Sequence, residues 1–381
     1  MTMKRTACFA LVFTAGLLFP SVSPAGEDIQ IAAIFAVTGP AAKANAHSLE
    51  GARLAVRELN RRGGVLGRQL KMVEIDNQSS PIGSKVAADK ASRLEVTAIV
   101  GAVWSSHSMA VAQVAQEQGI PMITNMSTHP DVTRSRDYVF RTCFTDDFQG
   151  RVMARFAAED LGGRTALIFR DVASDYSIGL AHDFKQGFEA LGGEVLMVVD
   201  YKHTQACFKD TAGLAAGLNP DVVFVPGYDE SGAIIQEALD AGMAGTFIGG
   251  DGWGPDGFFE QGGDLLERGY YCNHWCKDVE TELSRRFVEL ARRIMGVRPG
   301  SLTSSTPLAF DAVMLLADAL ERAGSTDRKR LRKALAGTRD FQGVTGSISF
   351  DEHGDPLKDA VIMEVSNRSR RYFKRVPPDG Q

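Results

Sequence analysis

The stretch IQIAAIFAVTGP, residues 29–40, opens with an apolar run rich in isoleucine and ends in a Thr-Gly-Pro turn. A helical pattern follows the turn and stops at Gly63-Gly64, since glycine commonly terminates helices. Four apolar residues of this pattern recur at helical spacing and share one face: Leu49, Ala52, Val56 and Leu59. An apolar strand joined by a turn to an amphipathic helix is the unit from which parallel sheets are built.

The same alternation of strand and helix continues through the first half of the chain. It predicts strands at Leu70–Ile75, Ala98–Gly101 and Ile120–Thr124, with helices near Ser84–Leu94 and Ser106–Gln118. Strands that alternate with helices of about 10–15 residues indicate parallel βαβ units. We therefore predict that the first half forms one doubly wound parallel sheet.

The second half repeats the alternation and predicts a second sheet of the same kind. Its predicted strands are Thr165–Arg170, Glu194–Asp200, Asp221–Pro226 and Thr246–Gly249. Its predicted helices are Ile178–Leu191, Thr211–Leu218 and Glu230–Ala241. With 381 residues, of which 44% are hydrophobic, the chain is long enough for two domains with separate cores. The predicted fold class is α/β, with two doubly wound parallel-sheet lobes.

The C-terminal part of the chain holds too few elements for a third domain. Helices are predicted at 281–295, at 307–323 and around 329–336. Two predicted strands, Gly346–Phe350 and Val361–Val365, flank a turn at 351–354, and we expect them to form a hairpin. These elements should pack back onto both lobes, which requires the chain to cross between the lobes more than once.

The N-terminus has the three parts of a secretory signal peptide. Lys4-Arg5 forms a basic start, Phe9–Phe19 an apolar segment, and Ser23-Pro24-Ala25 a cleavage site with small residues. The apolar segment is too short to cross the roughly 30 Å of a bilayer, so a membrane anchor is the weaker interpretation. We expect residues 1–25 to be removed near Ala25 and the mature chain to be exported to the periplasm.

The charge balance argues against a nucleic-acid partner. Removal of residues 1–25 takes away two of the 42 basic residues and none of the 47 acidic residues, which leaves 40 basic residues and a net charge of −7. Binding to nucleic acid depends on lysine and arginine side chains that neutralise phosphates. We therefore predict no nucleic-acid partner.

Four cysteines remain after position 25: Cys143, Cys207, Cys272 and Cys276. In an exported chain they could pair in three ways, between which their spacing does not decide. His203 and His274 lie near them in a His-x3-Cys and a Cys-x-His-x-Cys pattern, which raises a zinc site as an alternative. Neither spacing is a standard zinc motif, so we predict no metal site and favour a disulfide or buried free thiols.

Motifs of the common enzyme classes are missing from the sequence. It contains no Gly-x-Ser-x-Gly elbow, no His-Glu-x-x-His pair and no Walker phosphate-binding loop. The Gly63-Gly64-x-x-Gly67 segment follows a helix rather than a strand, so it is a turn and not a dinucleotide-binding fingerprint. We predict that the chain is not an enzyme and uses no cofactor.

Several short segments in a fixed order give the chain a resemblance to a known family. They are IFAVTGP at 34–40, EGA at 50–52, NRRGG at 60–64, IVG at 99–101, SS at 105–106, GIPMIT at 119–124, FRT at 140–142 and GGDG at 249–252. In this order and spacing they resemble the periplasmic binding proteins of ABC importers, of the leucine/isoleucine/valine type, over essentially the whole mature chain.

The resemblance implies a type I periplasmic binding protein, in which two lobes joined by three crossover strands close over a ligand. The crossings would fall near 145, 276 and 345. The N-terminal lobe would comprise residues 26–145 plus 277–345, and the C-terminal lobe residues 146–276 plus 346–381. The implied partners are a small-molecule ligand and an ABC permease in the membrane, and we expect the protein to be a monomer.

Six positions match ligand contacts of this family: Ser105, Met126, Thr128, Tyr176, Tyr228 and Asp251. Ser105 lies where a strand ends and a helix begins, and the free N–H groups of a helix start suit a carboxylate. By resemblance, Asp251 would pair with the ligand's ammonium. The alternatives are a helix cap for Ser105, turn caps for Thr128 and Asp251, and core positions for the tyrosines.

Three departures from the family concern the ligand's side chain and its ammonium. Ala44 stands where the family has an aromatic residue, and Asp251 is one methylene shorter than the family's glutamate. Ser79 and Trp104 replace the two cysteines of a disulfide, and Trp104 places a large ring beside Ser105. We therefore expect the ligand to be a branched-chain amino acid or another large aliphatic or aromatic one.

Other functions remain open at the level of sequence. The same fold could serve an exported ligand sensor, or bind a small carboxylate or amide that is not an amino acid. An exported hydrolase is the alternative from the enzyme class. Ligand-responsive transcription regulators share the fold, but they need a DNA-binding headpiece where this chain has its signal sequence.

Overall fold

The computed structural model describes residues 27–215, 217–279, 281–298 and 301–378. The predicted signal peptide, residues 1–25, lies outside the described residues. Two large sheets with helices packed against them account for most of the described chain, and the predicted fold class is confirmed. No described helix combines the length and apolar character needed to cross a membrane.

The first sheet is entirely parallel. Its strands are β1 (Ile29–Phe35), β2 (Leu70–Asp76), β3 (Ala98–Gly101), β4 (Met122–Thr124) and β5 (Val139–Arg141). They lie in the order β2-β1-β3-β4-β5. Ile31 belongs to the apolar core on one face of this sheet and Ile34 to the core on the other face. The apolar run of β1 is therefore buried on both faces, as parallel sheets require.

Three helices connect these strands: α1 (Ala42–Arg61), α2 (Pro81–Arg93) and α3 (Ser105–Gln118). Helix α2 begins earlier than predicted because Pro81 suits the first helical turn and the Ser80 hydroxyl accepts the N–H of Gly83. Helix α3 ends at Gly119, whose φ of 61° is the left-handed conformation that glycine adopts without strain.

The second sheet repeats this arrangement. Its parallel strands are β6 (Thr165–Asp171), β7 (Glu194–Tyr201), β8 (Val222–Val225), β9 (Thr246–Gly249) and β10 (Gly269–Asn273). The helices of this region are α4 (Asp146–Arg155), α5 (Asp175–Ala190), α6 (Lys209–Gly213), α7 (Ser231–Asp240) and α8 (Gly257–Glu260). The predicted helix at Thr211–Leu218 is shorter and ends at Gly213, since glycine disfavours a helix interior. Neither α4 nor β10 was predicted.

The C-terminal part of the chain packs helices against the first sheet, adds two strands to the second sheet and forms a separate two-stranded sheet. Its helices are α9 (Glu282–Met295), α10 (Ser305–Ala323) and α11 (Arg328–Ala336). Its strands are β11 (Phe341–Gly343), β12 (Gly346–Ile348), β13 (Ala360–Ser366) and β14 (Ser369–Val376). Helix α10 packs along α1, and a Cβ at Gly51 would lie 2.1 Å from the carbonyl oxygen of Thr306. Glycine at this position therefore permits the close approach of the two helices.

The predicted hairpin between residues 346–350 and 361–365 is wrong. Strand β12 pairs with β11, whereas β13 pairs with β10 and β14. The second sheet therefore has the order β14-β13-β10-β9-β8-β6-β7, with the last two strands of the chain antiparallel at its edge. Local patterns identified the segments but not their partners, because pairing depends on which sheet edge the folded chain leaves free.

The apolar cores show how the chain crosses between the sheets. The core on the first sheet combines Ile31 with Phe287 and Leu316 from the C-terminal part of the chain. A core on the second sheet combines Phe184 with Ile362. The chain therefore passes between the sheets three times, after β5, after β10 and after β12, and each sheet with its helices forms one lobe.

Candidate functional site

A cavity of about 170 Å³ lies between the two lobes, beyond the carboxyl ends of the parallel strands. A buried water needs only about 10–15 Å³, so the cavity has room for a small organic molecule. Seven of the eight residues singled out in the sequence line it: Ala44, Trp104, Met126, Thr128, Tyr176, Tyr228 and Asp251. The structure thus brings together residues that lie far apart in the chain.

The eighth residue, Ser105, lies behind this lining at the start of α3 and is only 1% exposed. It is the first helical residue, and the cap position before it belongs to Trp104, whose side chain makes no capping hydrogen bond. The Ser105 hydroxyl accepts the N–H of His129 at 3.3 Å. Because no side chain caps α3, the N–H groups of its first turn can bind a carboxylate.

Thr128 lies in a loop that a buried arginine holds in place. Nη1 of Arg141 donates to the carbonyl oxygens of Ser127 at 2.7 Å and His129 at 3.1 Å, on either side of Thr128. Nε of Arg141 donates to Oδ1 of Asp355 at 2.6 Å, which pairs the buried guanidinium with a carboxylate. In the sequence, Arg141 was noted only as part of the FRT segment. Its position at the end of a strand is the feature from which a role at the site could have been predicted.

Asp251 follows β9 and is 4% exposed. Its Oδ1 accepts a hydrogen bond from Nε2 of Gln149 at 3.2 Å, and its Oδ2 lies 3.0 Å from Nε2 of His274. Burial lowers the pKa of His274, which favours a neutral ring with its proton on the nitrogen that faces the carboxylate. Gln149 and His274 therefore hold Asp251 at the cavity wall, and neither was predicted.

The two tyrosines contribute a stacked pair of rings. The ring centroids of Tyr176 and Tyr228 lie 5.0 Å apart, with 21° between the planes. The Tyr176 hydroxyl accepts the N–H of Gly252 at 3.2 Å. Burial, and then the negative charge of Asp251, raises the pKa of both phenols, so both are neutral near pH 7. A Cβ at Gly250 would lie 2.3 Å from the Tyr176 hydroxyl, so glycine there makes room for the ring.

Five polar cavity residues were not predicted as site residues: His203, Asp229, Glu230, Gln261 and Ser305. Nδ1 of His203 lies 2.5 Å from Oδ2 of the buried Asp171, and this hydrogen bond raises the pKa of His203. Oε1 of Glu230 accepts the N–H of Tyr228 at 3.0 Å. Asp229 and Glu230 directly follow Tyr228 beyond β8, so their position past the end of a parallel strand was the signal that could have found them.

All four cysteines after position 25 are free thiols, three of them buried and Cys207 exposed. The disulfide alternative is therefore wrong, and the alternative of buried free thiols describes Cys143, Cys272 and Cys276. Burial raises the pKa of Cys143 to about 12, which keeps it a neutral thiol. Nowhere in the described chain do three histidine, cysteine or acidic side chains form a group that could hold a metal ion.

Comparison with known proteins shows the family to which the chain is related. The sequence profile described as "Periplasmic binding protein" matches residues 28–370. The leucine-, isoleucine-, valine-, threonine- and alanine-binding protein of Pseudomonas aeruginosa is 30% identical over 366 residues, which cover 93% of each chain. The leucine-binding protein LivK of Thermotoga maritima, a crystal structure, is 35% identical with a TM-score of 0.87, over 93% of this chain and 100% of its own.

A ligand-bound relative shows the same fold. The branched-chain amino acid transporter substrate-binding protein LivJ of Streptococcus pneumoniae, solved with isoleucine, is 29% identical with a TM-score of 0.85, over 92% of this chain and 100% of its own. These matches confirm the resemblance read from the sequence, and they identify a binding protein rather than an enzyme. The chain belongs to the periplasmic binding protein family.

Proposed function

We propose that the chain captures an amino acid between its two lobes outside the cytoplasmic membrane and delivers it to an ABC permease. The observation that carries this proposal is the cavity, which is lined both by Trp104 at the uncapped start of α3 and by Asp251. An amino acid presents a carboxylate and an ammonium, and burying either group without a partner is costly. The relatives named above bind leucine, isoleucine and other amino acids, which supports this ligand class.

The polar contacts divide between the lobes in this proposal. The carboxylate of the ligand binds the start of α3 and the Ser105 hydroxyl, with Met126 and Thr128 beside it on the first lobe. The ammonium binds Asp251 on the second lobe. A ligand that contacts both lobes binds the closed arrangement more tightly than the open one, so binding should close the cleft.

The apolar wall of the cavity selects the ligand's side chain. Ala44, Val103 and Trp104 of the first lobe line the cavity together with Pro255 of the second lobe. The methyl group of Ala44 leaves space, and the Trp104 ring offers a flat apolar surface against which burial of hydrocarbon is favourable. We therefore favour branched-chain amino acids and other amino acids with a large aliphatic or aromatic side chain.

For the lobes we propose the boundaries expected from sequence with one change. Residues 26–145 and 277–345 form the N-terminal lobe and residues 146–276 and 346–381 the C-terminal lobe, except that β12 joins the first lobe. The reason is that Ile348 and Phe350 pack in the apolar core of the first lobe. The third crossing then lies between β12 and β13.

We also propose that the chain is exported and acts with two kinds of partner. Residues 1–25 act as a signal peptide that is cleaved near Ala25, which places the mature protein in the periplasm. There it acts as a monomer whose partners are its amino acid ligand and the membrane permease. The net charge of −7 after cleavage supports the absence of a nucleic-acid partner.

Calorimetry of the mature protein tests the proposed function. Leucine, isoleucine and phenylalanine should each bind saturably at one site and more tightly than alanine or glycine. Mass spectrometry should recover every ligand unchanged. Failure of all amino acids to bind would contradict the proposal, and chemical conversion of any ligand would show that the chain is an enzyme.

A further inference from the structure

An arginine of the last strand holds a loop that belongs to the cavity wall of the second lobe. Arg370 lies in β14 and reaches the segment 253–256, between β9 and α8. Its Nη2 donates to the carbonyl oxygens of Trp253 at 3.1 Å and Pro255 at 2.7 Å. Its Nη1 donates to Oδ1 of Asp256 at 3.0 Å. Because the donors of a guanidinium form a rigid fork, these contacts fix the course of the segment.

The surroundings of Arg370 hold the guanidinium itself in place. Its Cζ lies over the ring of Phe259, 4.1 Å from the ring centroid, which is a favourable contact between a cation and an aromatic face. The side chain is only 18% exposed. Its Nε is buried and has no hydrogen-bond partner in the described part of the chain, and such a donor is costly and calls for an explanation. The contacts to the segment 253–256 offset this cost.

The segment that Arg370 holds lies within a stretch that forms a large part of the cavity wall. Four lining residues come from the stretch between the end of β9 and the end of α8: Asp251, Gly252, Pro255 and Gln261. The Trp253 ring is fully buried and its Nε1 donates to the carbonyl oxygen of Val225 at 3.0 Å, which anchors the start of the segment. Pro255 has no N–H to donate, so the hydrogen bond that Arg370 gives to its carbonyl oxygen is the polar contact that holds it.

We propose that Arg370 is a positioning residue that sets the size of the pocket for the ligand's side chain. It holds Pro255 at the apolar part of the cavity, which Ala44 and Val103 also line. With Arg370 in place, a large apolar side chain packs against Pro255. Without it, the segment shifts and this contact is lost, whereas the single methyl group of alanine has less contact to lose. The inference rests on the proposed function, because it concerns how the site selects among amino acids.

The test compares leucine with alanine in variants of Arg370. Calorimetry gives the ratio of the two affinities, in which a loss of stability common to both ligands cancels. Arg370→Met should reduce the preference for leucine about fourfold, the contribution of one buried methylene group. Arg370→Lys keeps the charge but not the fork, so its ratio should lie between those of the wild type and Arg370→Met. Arg371→Met removes the same charge from the next residue of β14, where the side chain is 65% exposed, and should leave the ratio unchanged.

The outcomes separate this inference from the proposed function. If the wild-type protein binds no amino acid, or binds leucine no more tightly than alanine, the proposed function fails and the inference falls with it. If it prefers leucine and Arg370→Met keeps the full preference, or weakens both ligands equally, the inference alone is wrong. A ratio for Arg370→Lys outside the stated interval also contradicts it.

A second variant decides the question should Arg370→Met fail to fold. Phe259→Leu leaves the hydrogen-bonding groups of Arg370 in the chain and removes the ring on which the guanidinium lies. The preference for leucine should then fall in the same direction as expected for Arg370→Met. An unchanged preference in Phe259→Leu would contradict the positioning role of Arg370.

Discussion

The indole ring of Trp104 stacks on the phenol ring of Tyr228, with ring centroids 4.6 Å apart and planes inclined by 12°. Trp104 precedes α3 on the first lobe and Tyr228 follows β8 on the second, so this contact spans the cleft. Tyr228 stacks in turn on Tyr176. The three rings form one column that requires the lobes to lie close together, and closure therefore depends on side chains as well as on the ligand.

Replacing Trp104 should weaken binding by destabilising the closed arrangement. An aromatic pair contributes about 0.5–1.5 kcal/mol beyond the area it buries, so Trp104→Ala should lower the affinity for leucine about two- to tenfold. Small-angle scattering should show that the variant needs correspondingly more leucine to become compact. Trp104→Phe retains a ring and should keep most of the affinity. Wild-type affinity and compaction in Trp104→Ala would show that the stack does not assist closure.

Filling the cavity at Ala44 should discriminate between ligands by size. Ala44 is 8% exposed and lines the cavity, so a tryptophan ring there competes with the ligand's side chain for space. Overpacking costs about 1–3 kcal/mol, and Ala44→Trp should weaken phenylalanine and leucine about tenfold or more while sparing glycine and alanine. Ala46→Trp, on the exposed face of the same helix, is the matched control. Equal losses for large and small amino acids would contradict this placement of Ala44.

Removing the Ser105 hydroxyl should weaken every ligand alike. A hydrogen bond to a charged group contributes about 1.5–3 kcal/mol, so Ser105→Ala should cost roughly ten- to a hundredfold in affinity. The loss should be the same for leucine and for 4-methylpentanoate, because both carry the carboxylate. Ser106→Ala removes the hydroxyl of the next residue of α3, which is not among the proposed ligand contacts, and should bind as the wild type does. A loss confined to amino acids would place Ser105 at the ammonium instead.

A buried lysine near the crossings should make stability depend on pH in the alkaline range. Nζ of Lys358 donates to the carbonyl oxygen of Thr142 at 2.9 Å and also contacts the Thr345 hydroxyl. Burial lowers the pKa of Lys358 from 10.5 to about 8. Between these two values the unfolded chain holds a proton that the folded protein has released, so the contribution of Lys358 to the free energy of unfolding rises with pH.

Denaturant unfolding of the wild type and of Lys358→Met tests whether the contribution of Lys358 to the free energy of unfolding rises with pH. The free energy of unfolding of the wild type minus that of the variant should increase from about pH 8 to about pH 10.5. Titrating groups that do not interact with Lys358 are common to both proteins and cancel in the difference. Lys329→Met, at an exposed lysine, controls for the loss of one positive charge. A difference that stays constant or falls over this range would show that Lys358 keeps its proton in the folded protein.

Local sequence patterns failed to predict strand pairing where the partner strand lies elsewhere in the chain. Residues 346–348 were recognised as a strand, yet their partner is Phe341–Gly343 rather than the strand near 361. Strand β10 was not recognised, although it provides the edge on which β13 pairs. Alternation of side chains identifies a strand within its own segment, but the hydrogen bonds that assign a partner come from another part of the chain.

The residues of the candidate site likewise fall into those that the sequence identifies and those that only the folded chain brings together. Residues such as Ser105 and Tyr228 could be found from sequence because they match ligand contacts of the family. Both lie in the loops after recognisable strands, and parallel strands bring their carboxyl ends to one edge of a sheet. Asp146 and Gln149 belong to helix α4, which was not recognised. His274 directly follows strand β10, which was not recognised either, and the sequence marked it only as part of a possible zinc pattern. Their meeting at Asp251 results from the packing of the first and second crossings against each other.

The sequence by itself determined the alternation of strands and helices, hence the parallel strands of both sheets. This follows from periodicity and turn chemistry, which act over a few residues. The resemblance to the family added the residues after the strands where a ligand can bind. Only the tertiary structure decided that Trp104 meets Tyr228 and that two buried acids, Asp146 and Asp251, share the amide of Gln149. These contacts join residues that are distant in the chain, and they exist because the three crossings turn the carboxyl ends of both sheets toward one cleft.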